Sequence, residues 1–349
     1  MSRTVRVLVV DDSAFMRYII AKHLEADPNV TVVGTAQDGL DALTKILALT
    51  PDVVTLDVEM PRMDGLTTLK RIMVDCPTPV VMLSSATKGG AQTTVQALVH
   101  GAVDFVIKPA ASTDMRAVVE ELLLKIKMAA KSRPVTAAGK YRSNRSMPAS
   151  IGRPRPFHQG DPVVVIGASI GGPWALRHVL SALPADFPAA VVAVQHMPAG
   201  LTQLLAQRLN ESCALHVREA TNGDSLAQGL VLVAPGDFHL CFGANQRVIL
   251  DQSPPHHCVR PALDKALESA SQHHQAKVIG VILTGIGPDG MEGAGLIKAR
   301  GGQVIAEDES TAVIYGMPRR VIEAGLADYV LPLSDVANTL VELVNLTYQ

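Results

Sequence analysis

Short apolar runs alternate with longer amphipathic stretches along the first third of the chain. The stretches between and after the runs, such as AFMRYIIAKHLEA and GLDALTKILAL, repeat apolar residues at helical spacing. The apolar runs are predicted to be buried strands: Val5–Val10, Val30–Thr35, Asp52–Asp57, Pro79–Ser84 and Asp104–Pro109. Strands that alternate with helices in this way predict a doubly wound parallel sheet.

A second series of strand and helix patterns begins after Asp161. Its strand candidates are PVVVIGAS, AAVVAVQH, LVLVAPG, KVIGVILTG and GGQVIAED, and RVILD is expected to form a hairpin with FHLCFG. This pattern predicts a second α/β domain with a doubly wound parallel sheet. Residues 129–160 are rich in Arg, Ser, Pro and Gly and lack periodicity, which favours a flexible linker over a nucleic-acid patch. The predicted organisation is a domain over 1–128, a linker over 129–160 and a domain over 161–349.

Composition narrows the class of protein. Hydrophobic residues make up 48% of the 349 residues and aromatics only 3%, so the cores must consist of aliphatic side chains and Met. A net charge of -2 argues against a nucleic-acid partner. The cysteines are scattered without a C-x-x-C motif, which indicates a reducing cytoplasm. Neither a signal peptide nor a membrane-spanning run is visible, so we expect a cytoplasmic protein without direct membrane insertion.

Polar residues close the strands predicted in the first domain. They are Asp11, Asp12, Asp57, Ser84 and Lys108. Because the carboxyl ends of parallel strands meet at one edge of the sheet, these side chains should converge. Three carboxylates would repel one another unless a cation such as Mg²⁺ lies among them, and Asp57 then has the neighbours that a phosphorylatable carboxylate needs. The alternative is that these carboxylates merely cap the following helices.

The first domain resembles the receiver domain of response regulators, on the motifs VDDS, LDVEMPRMDG and KP, over Val5 to about Lys127. The resemblance implies a flavodoxin-like fold that accepts a phosphoryl group from a histidine kinase on Asp57. It also implies Mg²⁺ held by Asp11, Asp12, Asp57 and the backbone carbonyl of Glu59. The remaining implied roles are the switch hydroxyl, the rotating aromatic ring and the lysine of the receiver site: Ser84, Phe105 and Lys108.

The stretch VVVIGASIGGPWAL, which begins the second domain, admits three interpretations. It could be a phosphate-binding loop, a nucleophile on a tight turn or a simple strand-to-helix connection. Gly-Ala-Ser-Ile-Gly-Gly does not match a dinucleotide fingerprint, and no Walker lysine follows. A Gly-x-Ser-x-Gly turn would expose Ser169 at a helix N-terminus, where backbone N–H groups point at the atom that the serine attacks.

Two later residues offer partners for Ser169. His196 closes the next predicted strand on the same rim and could act as a general base. Asp289 lies in the loop of LTGIGPDGMEG and could hold the imidazole in one tautomer. A rim histidine and an ordinary turn aspartate are the alternatives. The glycines of this loop would let backbone donors approach an oxyanion: Gly285, Gly287 and Gly290.

A metal is not expected at His256, His257 and Cys258, because adjacent ligands on an extended segment point apart. Arg260 follows at the start of a predicted helix. A contact with an anionic group and a contact with solvent are both compatible with its position.

The second domain resembles the catalytic domain of the chemotaxis protein-glutamate methylesterases, on the motifs IGASxGG, QHMP, APG, RP…D and LTGxGxDG. The whole chain resembles that two-domain family. The resemblance implies Ser169 as nucleophile, His196 as general base and acid, and Asp289 as its orienter. It further implies an oxyanion donor at the backbone N–H near Ile286, and no cofactor in the esterase site.

The implied substrate is a glutamate γ-methyl ester on a cytoplasmic helix of a chemoreceptor, hydrolysed with release of methanol; deamidation of receptor glutamines is also permitted. We expect the unphosphorylated receiver to inhibit the esterase. The alternative is a response regulator whose second domain only binds a partner or DNA. A DNA-binding output domain should carry a basic recognition helix, and none stands out after Asp161.

Overall fold

The computed structural model describes residues 4–85, 87–108, 115–132, 152–243, 246–274 and 277–347. The chain divides into two compact units. The described residues up to 132 belong to the first unit and those from 152 onward to the second.

The first unit is a five-stranded parallel sheet in the order β2-β1-β3-β4-β5, with helices between the strands. Its strands are β1 Val5–Val10, β2 Val30–Ala36, β3 Val53–Asp57, β4 Val80–Ser84 and β5 Asp104–Ile107. Its helices are α1 Ala14–Leu24, α2 Gly39–Leu49, α3 Gly65–Asp75, α4 Lys88–Val99 and α5 Met115–Ala129. The strand order reverses between β1 and β3, and an open α/β sheet binds its ligands at such a point.

The apolar runs of this sheet follow from burial on both faces. Every residue of β3 and β4 is buried, as a parallel sheet covered by helices requires. The helices begin where a short polar side chain accepts a backbone N–H of the first turn, which marks each helix start in the sequence. The capping residues of α1 to α4 are Ser13, Asp38, Asp64 and Thr87. The predicted fifth strand ends at Ile107, and Pro109 lies outside the described residues.

The second unit contains a seven-stranded parallel sheet in the order β16-β15-β14-β7-β8-β11-β9. Its strands are β7 Val163–Ala168, β8 Ala190–Gln195, β9 His216–Glu219, β11 Leu230–Val233, β14 Val278–Ile282, β15 Gln303–Glu307 and β16 Tyr329–Leu331. Its helices are α6 Gly172–Ala182, α7 Leu201–Ser212, α8 Leu263–His274, α9 Met291–Ala299, α10 Met317–Glu323 and α11 Leu333–Leu346. The predicted doubly wound α/β fold is confirmed in both units.

Two short antiparallel pairs accompany the large sheet. Strand β12, His239–Phe242, pairs with β13, Val248–Asp251, which confirms the hairpin predicted from FHLCFG and RVILD. Strand β6, Arg155–Pro156, pairs with β10, Ala227–Gln228. Gly152 N also donates to Ala214 O at 2.8 Å. Residues 152–160 of the predicted linker therefore run along the second unit, and residues 133–151 lie outside the described part of the chain.

The edge strands β9 and β16 were not predicted from the sequence. Each buries one residue or none, because an edge strand is covered on fewer sides than a central one. Neither therefore carries a continuous apolar run. Among the described helices, none is both long and apolar enough to cross a bilayer.

Candidate functional site

A tight turn connects β7 to α6 and carries Ser169. Gly171 has φ +74°, a left-handed conformation that side chains other than glycine rarely adopt. A Cβ on Gly172 would lie 2.1 Å from Gln195 Oε1. The amide of Gln195 in turn donates to Ser169 O at 2.8 Å. The glycines therefore let the turn approach the end of β8 closely.

The loop after β14 lies directly against the serine. Ser169 N donates to Thr284 O at 2.9 Å. A Cβ on Gly285 would lie 2.8 Å from the Cβ of Ser169, so only glycine fits there without displacement. Ser169 is largely buried, with 9% of its surface exposed. The structure thus brings the predicted glycine-rich loop and the serine turn into contact.

His196 and Asp289 form a close pair at the same edge of the sheet. His196 Nε2 and Asp289 Oδ2 are 2.7 Å apart. His196 N donates to Ala168 O at 3.1 Å, which fixes the histidine beside the end of β7. Asp289 is 1% exposed. Both residues predicted as partners of Ser169 therefore lie near the serine turn.

The first backbone N–H groups of α8 hold the carboxylate of Asp289. Leu263 N donates to Oδ2 at 2.7 Å and Asp264 N donates to Oδ1 at 2.9 Å. Burial alone would raise the pKa of Asp289, but the hydrogen bonds from His196 and from these N–H groups outweigh it and hold the pKa below its usual value. The sequence predicted a helix that starts after Arg260, but not that its first N–H groups hold Asp289.

The pairing assigns a role to each ring nitrogen of His196. An ionised carboxylate only accepts hydrogen bonds, so Nε2 is the nitrogen that carries the proton. In the neutral ring, Nδ1 is then the nitrogen with a free lone pair. The structure gives the Ser169 hydroxyl no hydrogen bond to His196 within the described residues, and catalytic hydrogen bonds often tighten only when substrate binds.

Several backbone N–H groups near the serine lack an acceptor in the described part of the chain, and two of them directly follow residues of the serine turn and the facing loop. These two belong to Ile170, directly after Ser169, and to Ile286, directly after Gly285. The N–H of Gly285 itself donates to Ile314 O at 3.0 Å. The side chain of Ile286 is 48% exposed. Free N–H groups of this kind can bind an oxyanion.

A buried acid, Glu307 at the end of β15, supports the loop that holds the serine. Its carboxylate accepts from Thr284 N at 2.8 Å and from Thr311 Oγ1 at 3.0 Å. Burial raises the pKa of Glu307 to about 7, although both hydrogen bonds oppose the shift. The sequence analysis missed Glu307; its signal is an acidic residue at the carboxyl end of a predicted strand.

In the first unit, the predicted acidic residues also converge. Carboxylate oxygens of Asp11, Asp12 and Asp57 lie within 4.8 Å of one another. Lys108 Nζ is 2.7 Å from Asp11 and 2.8 Å from Asp57. Burial raises the pKa of Asp57 to about 6, although the ammonium of Lys108 opposes the shift. Three carboxylates in one place fit a hard divalent cation with oxygen ligands.

The other predicted receiver residues lie on or just after strands β3, β4 and β5. Ser84 Oγ lies 2.6 Å from Thr94 Oγ1, a partner on α4 that the sequence analysis missed. Phe105 is buried, and Lys125 Nζ lies 5.0 Å from the centre of its ring. Glu59 follows β3, and its side chain accepts from Ser85 Oγ at 3.4 Å. In this structure the Ser84 hydroxyl is thus paired with α4.

The extended conformation expected at His256 and His257 is wrong. His257 and Cys258 have φ values of +50° and +64°, so the backbone turns there and brings the two imidazole ring centres to 4.1 Å. Arg260 donates to the carbonyls of Gln252 and Ser253 at 3.1 and 3.0 Å. Arg260 therefore anchors the preceding loop. The sequence had left open a contact with an anionic group or with solvent.

Comparison with known proteins identifies the family. Residues 164–340 match the CheB methylesterase family and residues 7–120 match the response regulator receiver domain. The protein-glutamate methylesterase/protein-glutamine glutaminase of Symbiobacterium thermophilum is 51% identical over 353 aligned positions, which cover 98% of each chain. The protein of the same name from Thermotoga maritima is 47% identical and covers 98% of this chain and 99% of its own.

A solved structure agrees with the second unit. The Thermotoga maritima CheB methylesterase catalytic domain is 49% identical, with a TM-score of 0.51, and the match covers 52% of this chain and 98% of that one. The two family models leave residues 1–6, 121–163 and 341–349 unmatched, whereas the full-length relatives cover 98% of the chain. The chain belongs to the CheB family of response-regulator methylesterases.

Proposed function

We propose that this chain hydrolyses glutamate γ-methyl esters on the cytoplasmic helices of chemoreceptors, and that phosphorylation of Asp57 activates it. One observation supports the chemistry above all others: His196 Nε2 lies 2.7 Å from the buried carboxylate of Asp289, beside the turn that carries Ser169. A base that is oriented in this way, next to a serine on a glycine turn, supports acyl transfer.

The proposed reaction proceeds through an acyl-serine. Ser169 Oγ attacks the ester carbonyl carbon while His196 Nδ1 takes the hydroxyl proton. The ester C–O bond then breaks, and His196 returns that proton to the departing methoxide, which leaves as methanol. Water attacks the acyl-serine by the same route, and the products are a glutamate carboxylate and a free Ser169. Asp289 stays ionised and stabilises the imidazolium in both halves.

The negative oxygen of each tetrahedral intermediate needs donors that are already in place. The N–H of Ile286 and the N–H of Ile170 are the groups we propose for this role, because both lack another acceptor in the described part of the chain. The same acyl chemistry acts on a glutamine side chain, with ammonia as the leaving group, so deamidation follows from the same residues.

For the receiver, we propose that Asp57 accepts a phosphoryl group from a histidine kinase. Asp11, Asp12, Asp57 and the backbone carbonyl of Glu59 would hold Mg²⁺, which offsets negative charge on the transferred group. Lys108 already lies 2.8 Å from Asp57 and can pair with a phosphoryl oxygen. The Ser84 hydroxyl would give up its hydrogen bond with Thr94 and donate to the phosphoryl group instead. The resulting change at α4 and at Phe105 would release the esterase from inhibition.

The function is tested by incubating the full chain with a methylated chemoreceptor cytoplasmic fragment and measuring methanol. Methanol should accumulate together with new glutamate carboxylates, detected by mass spectrometry of the receptor peptides. The matched control is the same fragment without methylation, which should release none. A chain that binds the methylated fragment and releases no methanol even with Mg²⁺ and a phosphodonor would contradict the proposal.

Phosphorylation should raise the rate of methanol release. With Mg²⁺ and a small-molecule phosphodonor such as acetyl phosphate, we expect an increase of about tenfold or more, which corresponds to about 1.4 kcal/mol of differential stabilisation. Asp57→Asn should show no increase, because an amide cannot form the acyl phosphate. The matched control is Asp75→Asn, a surface position paired with Arg71, which should respond like wild type. Activation of Asp57→Asn by the phosphodonor would refute this regulation.

A further inference from the structure

Four side chains converge at a place in the second unit that the esterase mechanism does not use. They come from the turn before α8, from α8 itself and from α9, and we call them the two-histidine cluster: His256, His257, Asp264 and Glu292. One ligand atom from each lies within 4.8 Å of the other three. The imidazole Nε2 atoms are 3.3 to 3.6 Å from the carboxylate oxygens.

At these separations, two buried polar atoms of the cluster have no hydrogen-bond partner within the described residues. His256 Nε2 and Asp264 Oδ2 are both buried and make no hydrogen bond within the described residues, and Asp264 is only 3% exposed. Leaving such atoms unpaired is costly, and native structures rarely do so without a reason such as an ion. These two atoms are 3.6 Å apart, so one occupant between them would satisfy both.

The spacing of the cluster matches the coordination shell of a metal ion. A tetrahedral ion with nitrogen and oxygen ligands at about 2.0–2.1 Å holds its ligand atoms roughly 3.3–3.4 Å apart. The four imidazole–carboxylate separations, 3.3 to 3.6 Å, lie at or slightly above that spacing, and the two imidazoles face different oxygens of Glu292. Two neutral imidazoles and two carboxylates together carry a charge of -2, which a divalent cation cancels.

We propose that the two-histidine cluster binds a divalent transition-metal ion, with Zn²⁺ as the best match. Imidazole nitrogen is a preferred ligand of zinc and its transition-metal neighbours, whereas Mg²⁺ and Ca²⁺ prefer oxygen ligands throughout. Four protein ligands would close the coordination shell, which is typical of a structural site.

The backbone conformation around the cluster fixes the positions of these side chains. His257 and Cys258 adopt left-handed φ values although neither is glycine, and such strain is kept where neighbouring structure requires it. His256 and Val259 exchange two backbone hydrogen bonds, at 3.1 and 2.9 Å, which close the turn. The second oxygen of Asp264 accepts from Gly293 N at 2.7 Å, as the outer oxygen of a ligating carboxylate commonly does.

The site would stabilise the segment that orients the triad aspartate. Asp264 supplies a ligand from its side chain and donates its backbone N–H to Asp289 Oδ1. A metal would therefore join the turn at 256–257 to the starts of α8 and α9, and so fix the N–H groups that hold Asp289. Metal binding itself is independent of the proposed esterase activity, since it can be measured without substrate.

The test is a zinc titration of the chelator-treated full chain against a chromogenic chelator, with millimolar Mg²⁺ present for the receiver site. We expect one tight site per chain in wild type. His257→Ala and Glu292→Gln should each weaken it by about 100-fold or more, because each removes a ligand. The matched controls are His273→Ala, an exposed histidine on α8, and Asp12→Asn in the receiver cluster; both should keep the tight site.

Two further measurements separate a bound metal from simple loss of structure. Zn²⁺ at about 100 times its Kd should raise the unfolding temperature of wild type by roughly 5–10 °C, and that of Glu292→Gln by much less. Co²⁺ should give the visible absorption of a four-coordinate ion in wild type only. Equal zinc affinity in wild type and both ligand variants, zinc loss only in Asp12→Asn, or no site tighter than about 10 μM would overturn the proposal.

Discussion

Replacing Ser169 with alanine is expected to lower methanol release by at least about 10⁴-fold, because no other group can form the acyl intermediate. The hydroxyl lies at the turn before α6, next to the loop that carries Ile286, and alanine fits there without new contacts. The rate should be measured at saturating methylated receptor, so that a change in receptor binding does not enter. Residual activity would come from the oxyanion donors and from binding alone.

A matched control for this prediction is Ser181→Ala on α6, the helix that follows the turn; the Ser181 hydroxyl donates to the carbonyl of His178 at 3.4 Å. It should retain the wild-type rate. Ser169→Ala should also keep the unfolding temperature and the receptor affinity of wild type, since it removes one hydroxyl and no packing. Methanol release by Ser169→Ala within tenfold of wild type would rule out Ser169 as the nucleophile.

Asp289→Asn should lower kcat by about 10⁴-fold while leaving the fold intact. Asparagine presents an amide N–H₂ to His196 Nε2, so the ring would carry its proton on Nδ1 and could not accept the proton of Ser169. The amide oxygen can still accept a backbone N–H from the start of α8, so most of the local structure persists. Steady-state kcat and KM on the methylated receptor measure the effect, which should lie in kcat.

The control for Asp289→Asn is the same exchange at Asp237, an exposed residue with φ +68° where asparagine is well tolerated. That variant should match wild type in both kinetic constants. If Asp289→Asn retained kcat within tenfold of wild type, His196 would not depend on the carboxylate for its tautomer, and the proposed roles of the two ring nitrogens would be wrong.

The central strands were predictable because burial on both faces forces a continuous apolar run, as in VVVIGA and AVVAVQ. The edges were not. His216–Glu219 and Tyr329–Leu331 are partly exposed, and their polar residues hide the strand pattern. The pairing of Arg155–Pro156 was equally hidden, because both residues are exposed and only backbone bonds hold them.

The site residues that were predictable are those at the carboxyl ends of strands, where topology alone brings distant positions together. Asp57 and Lys108 meet in this way, as do His196 and Asp289. Their supports were not predictable. The N–H groups that hold Asp289 come from a helix start whose placement depends on tertiary packing. The turn at His257 relies on positive φ in residues other than glycine, which leaves no mark in the sequence.

The order of strands in the second unit also has a consequence for how the protein folds. Strands β7 and β8 are neighbours in both sequence and space, so Ser169 and His196 can be brought together early. Asp289, which orients His196 in the proposed mechanism, reaches them only when β14 pairs with the other side of β7. Asp289 lies 93 residues beyond His196 in the sequence. Pairings across such distances form slowly, because a long loop must close before the contact stabilises anything. Esterase activity should therefore be among the last properties that a folding or newly synthesised chain acquires, after most of its helix content is in place.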